Sequence, residues 1–322
     1  MSITTPALLE VRAALRKYLE TIPPHHNVLV GCSGGADSLA LTRALFLEAP
    51  AFNLQLIPVV IDHDLQSGSA EVAAKTVAEL KSWGIENIFS AKAQVVLTDG
   101  IEASARRARY QIFEQALETF SSSYFFLAHT QNDQAESVLL GLARGSGTKS
   151  LSGMANVNGK YIRPLLSISR ATTEQACKES GIDYWSDPHN RNQKFTRVRV
   201  RENILPEMES DLGPGISEAL ARSAALLRDD AEALDGWAAK EFAALYPANL
   251  DCQQLLELPK AIRSRLLRLA IYAAGAPAGG LTAEHLVPVE ALITDWKGQG
   301  EVSLPGGVKV SRFSGRLSLS NP

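Results

Sequence analysis

Cysteine is scarce in this chain: Cys32, Cys177 and Cys252 are the only three in 322 residues, far apart and without a C-x-x-C pair. That excludes a disulfide framework and argues against a cysteine-ligated zinc or iron–sulfur centre. Long hydrophobic runs are missing too, since polar residues break every apolar stretch well short of the ~20 residues a membrane helix needs. The opening residues, Met1-Ser2-Ile3-Thr4-Thr5-Pro6, lack the basic-then-apolar order of a signal peptide. Internal repeats and low-complexity tracts are absent as well. These absences together predict a cytoplasmic protein that needs no membrane.

Charge is present but unevenly placed. Residues 137–201 hold eleven Lys/Arg against four Asp/Glu, a net +7 in a chain whose total is −3, so the remainder carries −10. A basic segment in an acidic protein suits a face that meets a polyanion, although a merely solvated basic surface gives the same count.

Hydrophobic patterning predicts an α/β fold. An amphipathic helix over 7–20 ends at Pro23-Pro24. Apolar runs at 28–32, 54–61, 87–89 and 124–128 then alternate with helix-like stretches at 38–48, 69–83, 102–120 and 133–143. Strands and helices alternating at these lengths imply βαβ units and a doubly wound, mainly parallel sheet. Ligands in such sheets bind outside the carboxyl ends of the strands, which singles out Ser33–Ser38, Asp62-His63 and His129–Asp133. Further on, Asn158-Gly159 reads as a hairpin turn, followed by helical pieces at 170–179 and 195–208. The Gly/Pro-rich run 211–215 reads as a linker. It divides residues 1–212 from a second, smaller, mainly helical domain at 213–322, with helices at 217–246, 259–274 and 283–296 and short strands at 302–304, 308–313 and 317–319.

Between the first strand and its helix lies Ser33-Gly34-Gly35-Ala36-Asp37-Ser38. Phosphate oxygens are met by backbone N–H groups, so such a loop must approach closely and tolerate positive φ, which glycine allows. The free amides and dipole of the next helix add to the attraction, and Ser33 and Ser38 offer hydroxyls. Asp37 suits an anion site only if a divalent cation lies between it and the phosphates. The loop lacks the Gly-Lys-Ser/Thr of a Walker motif and the G-x-G-x-x-G of a dinucleotide site. A capped helix start would use the same residue types.

The six residues resemble the S-G-G-x-D-S loop of N-type ATP-pyrophosphatases, which split ATP between its α- and β-phosphates. Further segments are similar, in order, to the tRNA(Ile)-lysidine synthetase family: Asp62-His63-Asp64-Leu65-Gln66, the helix Glu102–Tyr110, His129–Glu136, Arg144-Gly145-Ser146-Gly147, Leu151–Met154, Arg163–Leu166, Asp187–Asn190 and Arg197–Arg201. The likeness runs from about Val28 to Pro206 and weakens beyond Gly215. Asn132 departs from it, standing where the family has the first of two acids, while Asp133 keeps the second.

The resemblance implies ATP as cosubstrate, Mg²⁺, L-lysine, and an isoleucine tRNA with a CAU anticodon whose wobble cytidine becomes lysidine. Implied ATP contacts are Ser33, Gly34, Gly35, Ala36, Asp37, Ser38, Asp62 and His63. Asp37 and Asp133 become metal candidates, and Asp37, Arg109, His129 and Asp133 the catalytic set. Arg197 and Arg201, four residues apart on one helical face, become candidates for tRNA phosphate or ATP. Lysine's amine, with an ordinary pKa of ~10.4, needs a base or a lowered pKa, and either Asp133 or His129 is available. The alternatives are a tRNA thiolase, a small-molecule synthetase of the same superfamily, and a nucleotide-binding module without catalysis. The scarce, scattered cysteines disfavour the first, and the basic segment disfavours the second. A homodimer is left open.

Overall fold

Alternation along the first strand, β1 (Asn27–Gly31), divides the interior into two layers. Val28 and Val30 are buried in one core and Leu29 in another, as period-two side chains on a sheet must be. The same split recurs in β2 (Gln55–Asp62), where Ile57 and Val59 face one core and Val60 the other, and beside β4 (Phe125–Phe126), where Phe125 and Phe126 part company. Both faces are apolar because both are covered. These observations come from a computed structural model, which describes residues 5–62, 68–96, 100–145, 147–186, 192–245 and 250–321.

Helices α1 (Pro6–Leu19), α2 (Ala36–Glu48) and α3 (Ser69–Ser82) contribute to the core that holds Val28 and Val30; α4 (Ile101–Thr119) contributes to the opposite one. With β3 (Phe89–Lys92) and the hairpin β5 (Val157–Asn158) and β6 (Tyr161–Ile162), the sheet has the order β3-β2-β1-β4-β6-β5. All neighbours are parallel except β5 and β6. The expected doubly wound sheet is therefore present. It is larger than the alternation suggested, because the hairpin read at Asn158-Gly159 adds two short strands to it.

After β4 come α5 (Gln131–Ala143), the short α6 (Thr148–Leu151) and, past the hairpin, α7 (Arg170–Glu179). The helical piece expected at 195–208 is a composite. It runs through α8 (Thr196–Arg199), a π-helical turn (Val200–Ile204) and α9 (Leu205–Asp211).

The chain divides into two compact units, Met1–Leu227 and Arg228–Pro322. The division lies inside the long helix α10 (Ile216–Leu245), fifteen residues beyond the 212/213 boundary read from the Gly/Pro-rich run, which separates α9 from α10 within the first unit. In the second unit, α11 (Cys252–Glu257), α12 (Lys260–Ala273), α13 (Ala283–Thr294) and an antiparallel sheet of β7 (Val302–Ser303), β8 (Lys309–Phe313) and β9 (Arg316–Ser320) bury a core of its own around Leu266, Leu292 and Val310.

Candidate active site

In this strand order the winding reverses between β1 and β4, so their carboxyl ends flank the crevice where open α/β sheets bind ligands. The loop 33–38 leaves β1 and Ala128-His129 follows β4. A cleft of about 570 Å³ opens there, and its lining includes Ser33, Gly35, Ala36, Asp37, Ser38, Arg109, His129 and Asp133. With Arg201, which also lines it, nine of the residues singled out from sequence share one cavity.

The loop is shaped by its own hydrogen bonds. Ser38 Oγ accepts from Ser33 N at 3.1 Å and donates to Gly35 O at 2.9 Å. Gly34 has φ +83°, and a Cβ there would stand 2.4 Å from Thr76 Oγ1, so both backbone sign and space demand glycine. Gly34 turns away from the cleft and lines a second cavity of about 750 Å³ behind the loop. Asp62 accepts from Ser69 Oγ at 2.6 Å at the end of β2 and lies outside the cleft lining. His63 lies outside the described residues, as do 64–67, Ser146 and 187–191.

Asp133 has two jobs. Its Oδ2 accepts from Thr130 N at 2.8 Å and Thr130 Oγ1 at 3.0 Å, which caps α5. Its Oδ1 faces Arg170, Arg197 and Arg201 at 3.3, 3.5 and 3.5 Å. Burial opposes its charge, yet Arg170 and Arg197, with His129 and the Thr130 amide, hold it below the ordinary carboxylate range. Burial instead pushes the Asp37 carboxyl up, against the pull of Arg170 and a hydrogen bond from the Thr173 hydroxyl. Glu136, one helical turn from Asp133, is fully buried between Arg197 and Arg201, each at 2.6 Å.

His129 is neutral. Burial, with Arg163, Arg197 and Arg109 nearby, lowers its pKa to about 4, and its buried Nδ1 has no hydrogen-bond partner among the described residues. Arg163, at the end of β6 and itself buried, donates to Ala155 O at 3.1 Å.

The basic run differs from its reading as an outward, polyanion-facing surface. Arg197 and Arg201 do share a face, but that face turns inward onto Glu136 and Asp133. Glu136 has no other way to be buried and charged. Arg199, between them, is exposed. The amide oxygen of Asn132 accepts from Arg170 N at 2.9 Å where α7 begins, a bond an acid at this position would also accept. Arg170 and Thr173 escaped sequence reasoning, because nothing in spacing ties 170–173 to Asp37 in a helix 133 residues earlier. Gln134 is a structural member: its side chain bonds both Met154 N and Met154 O at 2.6 and 2.8 Å, and a Cβ on Gly153 would collide with it at 2.5 Å.

Two family descriptions match the chain: a PP-loop domain over residues 8–208 and a TilS substrate binding domain over residues 250–318. It is 47% identical to tRNA(Ile)-lysidine synthase from Thermobifida fusca across 99% of both chains. To the enzyme of the same name from Streptomyces coelicolor it is 46% identical, covering 92% of this chain and 86% of that one. Among solved structures, the U34-tRNA thiolase NcsA from Methanococcus maripaludis, with its [4Fe-4S] cluster, superposes with a TM-score of 0.58. At 18% identity, over 69% of this chain and 79% of that one, it shares the fold.

Proposed function

The chain belongs to the tRNA(Ile)-lysidine synthase family, and from that premise we propose which of its residues carry each part of the reaction. The activity is that of a ligase, joining L-lysine to an isoleucine tRNA at the expense of ATP. Within it, the acceptor is the wobble cytidine of a CAU anticodon and the reaction has two displacements. The cytidine C2 oxygen attacks the α-phosphorus, and pyrophosphate leaves. The ε-amine of lysine then attacks C2, losing a proton as the C–N bond forms, and AMP departs with the oxygen.

The observation that carries the residue assignment is the meeting of the loop, Asp37, Arg109, His129 and Asp133 in one cleft at the sheet's switch point. Amides of 33–38 and the amino end of α2 receive the pyrophosphate portion. Arg109 and the neutral His129, which both line the cleft, face the α-phosphate. Asp62, at the end of β2, stands on the adenosine side.

Asp37 and Asp133 both lean on one guanidinium, that of Arg170, so their carboxylates already converge on a cationic locus. One or two carboxylates plus substrate phosphates is the usual magnesium donor set, and the pair fits it. A divalent cation there supplies charge neutralisation at the triphosphate. Neither His129, at about 4, nor Asp133, held low, is a strong base. Arg197 and Arg201 act on tRNA indirectly, by holding the two carboxylates in the wall.

Incubation with ATP, Mg²⁺, L-lysine and an isoleucine tRNA, followed by digestion and mass spectrometry, tests this reading. One cytidine gains the mass of lysine less water. Sulfur in place of oxygen, or ATP cleavage indifferent to tRNA, contradicts it.

A further inference from the structure

Two carboxylates that line the cleft, Asp37 and Asp133, and the fully buried Glu136 beside them face three guanidinium groups, and the three are not held alike. Arg197 and Arg201 grip Glu136 through Nε at 2.6 Å. Arg170 reaches Asp37 at 3.4 Å, Asp133 at 3.3 Å and Glu136 at 3.7 Å, every one longer than the 2.7–2.9 Å typical of a charge-assisted bond. It is shared by three anions and bound closely by none. Its backbone is the opposite: the N–H is fixed by Asn132 at 2.9 Å, and Ser169 caps the helix that Arg170 opens. An anchored backbone thus carries a loosely held charge, lining the same cleft as Ser33 and Ser38.

We propose that Arg170 is a place-holder for the divalent cation, neutralising Asp37 and Asp133 while no nucleotide is bound and moving to the β- and γ-phosphates when metal-bound ATP enters. The inference rests on Asp37 and Asp133 being the metal-binding pair. Electrostatics gives the exchange its direction. Two neighbouring carboxylates, Asp133 buried and Asp37 half-buried, disfavour each other's charge, so without a metal they need another cation. A divalent ion satisfies both carboxylates and releases the guanidinium, and the incoming phosphates provide its new partner. No covalent bond changes. When pyrophosphate and metal leave, Arg170 returns, which limits retention of both.

Binding measurements without turnover test this. Mn²⁺ alone, titrated into nucleotide-free protein and followed by electron paramagnetic resonance, binds Arg170→Ala at least about tenfold tighter than wild type, since a competing charge is gone. Asp133→Asn in the Arg170→Ala background removes the gain. Inorganic pyrophosphate, followed by calorimetry, binds Arg170→Ala about tenfold more weakly, with Arg170→Lys between. Arg170→Gln keeps bulk and polarity and gives the same two signs if the alanine variant folds poorly. Unchanged or weaker Mn²⁺ binding in both variants overturns the place-holder, provided wild type still takes up Mn²⁺ with ATP through Asp133. If wild type shows no Asp133-dependent Mn²⁺ uptake even with ATP, the metal pair itself is wrong and the place-holder falls with it.

Discussion

Two buried glutamates in the first unit are held by the same device. Glu48 on α2 pairs with Arg12 and Arg16 of α1, at 2.5 and 2.7 Å. Glu136 on α5 pairs with Arg197 and Arg201, both at 2.6 Å. In each case the arginines are four residues apart and the glutamate is almost wholly buried, 3% and 0% exposed. Glu48 lines neither cavity and ties one helix to its neighbour. Glu136 sits beside two further carboxylates, a third arginine held at longer range, and a cleft. A buried, doubly paired carboxylate is therefore not itself a sign of function. The sign is what remains incompletely satisfied around it: Arg170 shared three ways, His129 Nδ1 without a partner among the described residues, Asp37 pushed up by burial.

The largest effect that separates the two clusters is catalytic. Asp133→Asn and Asp37→Asn each lower AMP formation by about a thousandfold or more, on the order of 4 kcal/mol of transition-state stabilisation, in proteins that circular dichroism shows folded. Near-wild-type turnover in either breaks the distinction. Glu48→Gln costs about 3 kcal/mol in urea denaturation, since two guanidinium groups lose their carboxylate, yet turnover per folded molecule is unchanged. Glu136→Gln loses both stability and turnover. Equal turnover losses at the two glutamates refute the contrast.

Next is the acid limb of stability. His129 has a folded-state pKa of about 4 against 6.5 unfolded, so between those values the unfolded chain binds more protons. The stabilisation is complete above about pH 6.5 and is lost as pH falls toward 4, on the order of 3 kcal/mol in all. His129→Asn flattens that limb of the urea profile; an unchanged slope shows that the imidazole is not desolvated. The smallest effect concerns the basic segment. Lys194→Ala and Arg199→Ala, both at exposed positions, each reduce the salt dependence of tRNA binding by about one unit of slope. Arg197→Ala lowers turnover with little change in slope. The reverse ranking restores Arg197 to the tRNA face.

What the sequence disclosed and what it hid divide along the same lines. Strands β1 and β2 and helices α1 to α5 were legible because alternation and helical periodicity are local signals. The loop 33–38 was legible because close phosphate approach restricts residue type. Strands β5 and β6, two residues each, are too short to carry a period, so only their turn was visible. The spacing of Arg197 and Arg201 gave a shared face; which way it points depends on Glu136, sixty-one residues earlier, and no local pattern contains that. Arg170 was invisible for the same reason. Asn132, where the sequence departs from the family pattern, accepts from the first amide of α7, a contact thirty-eight residues away that no local pattern contains.

The most direct test of the cleft as the seat of α–β cleavage uses ATP labelled at the α-phosphorus, an isoleucine tRNA, Mg²⁺ and no lysine. Label becomes covalently attached to the tRNA in the wild-type protein, pyrophosphate is released in equal amount, and Asp133→Asn shows neither. Later addition of L-lysine discharges the label as AMP. Release of labelled ADP, or attachment that persists in Asp133→Asn, contradicts the assignment.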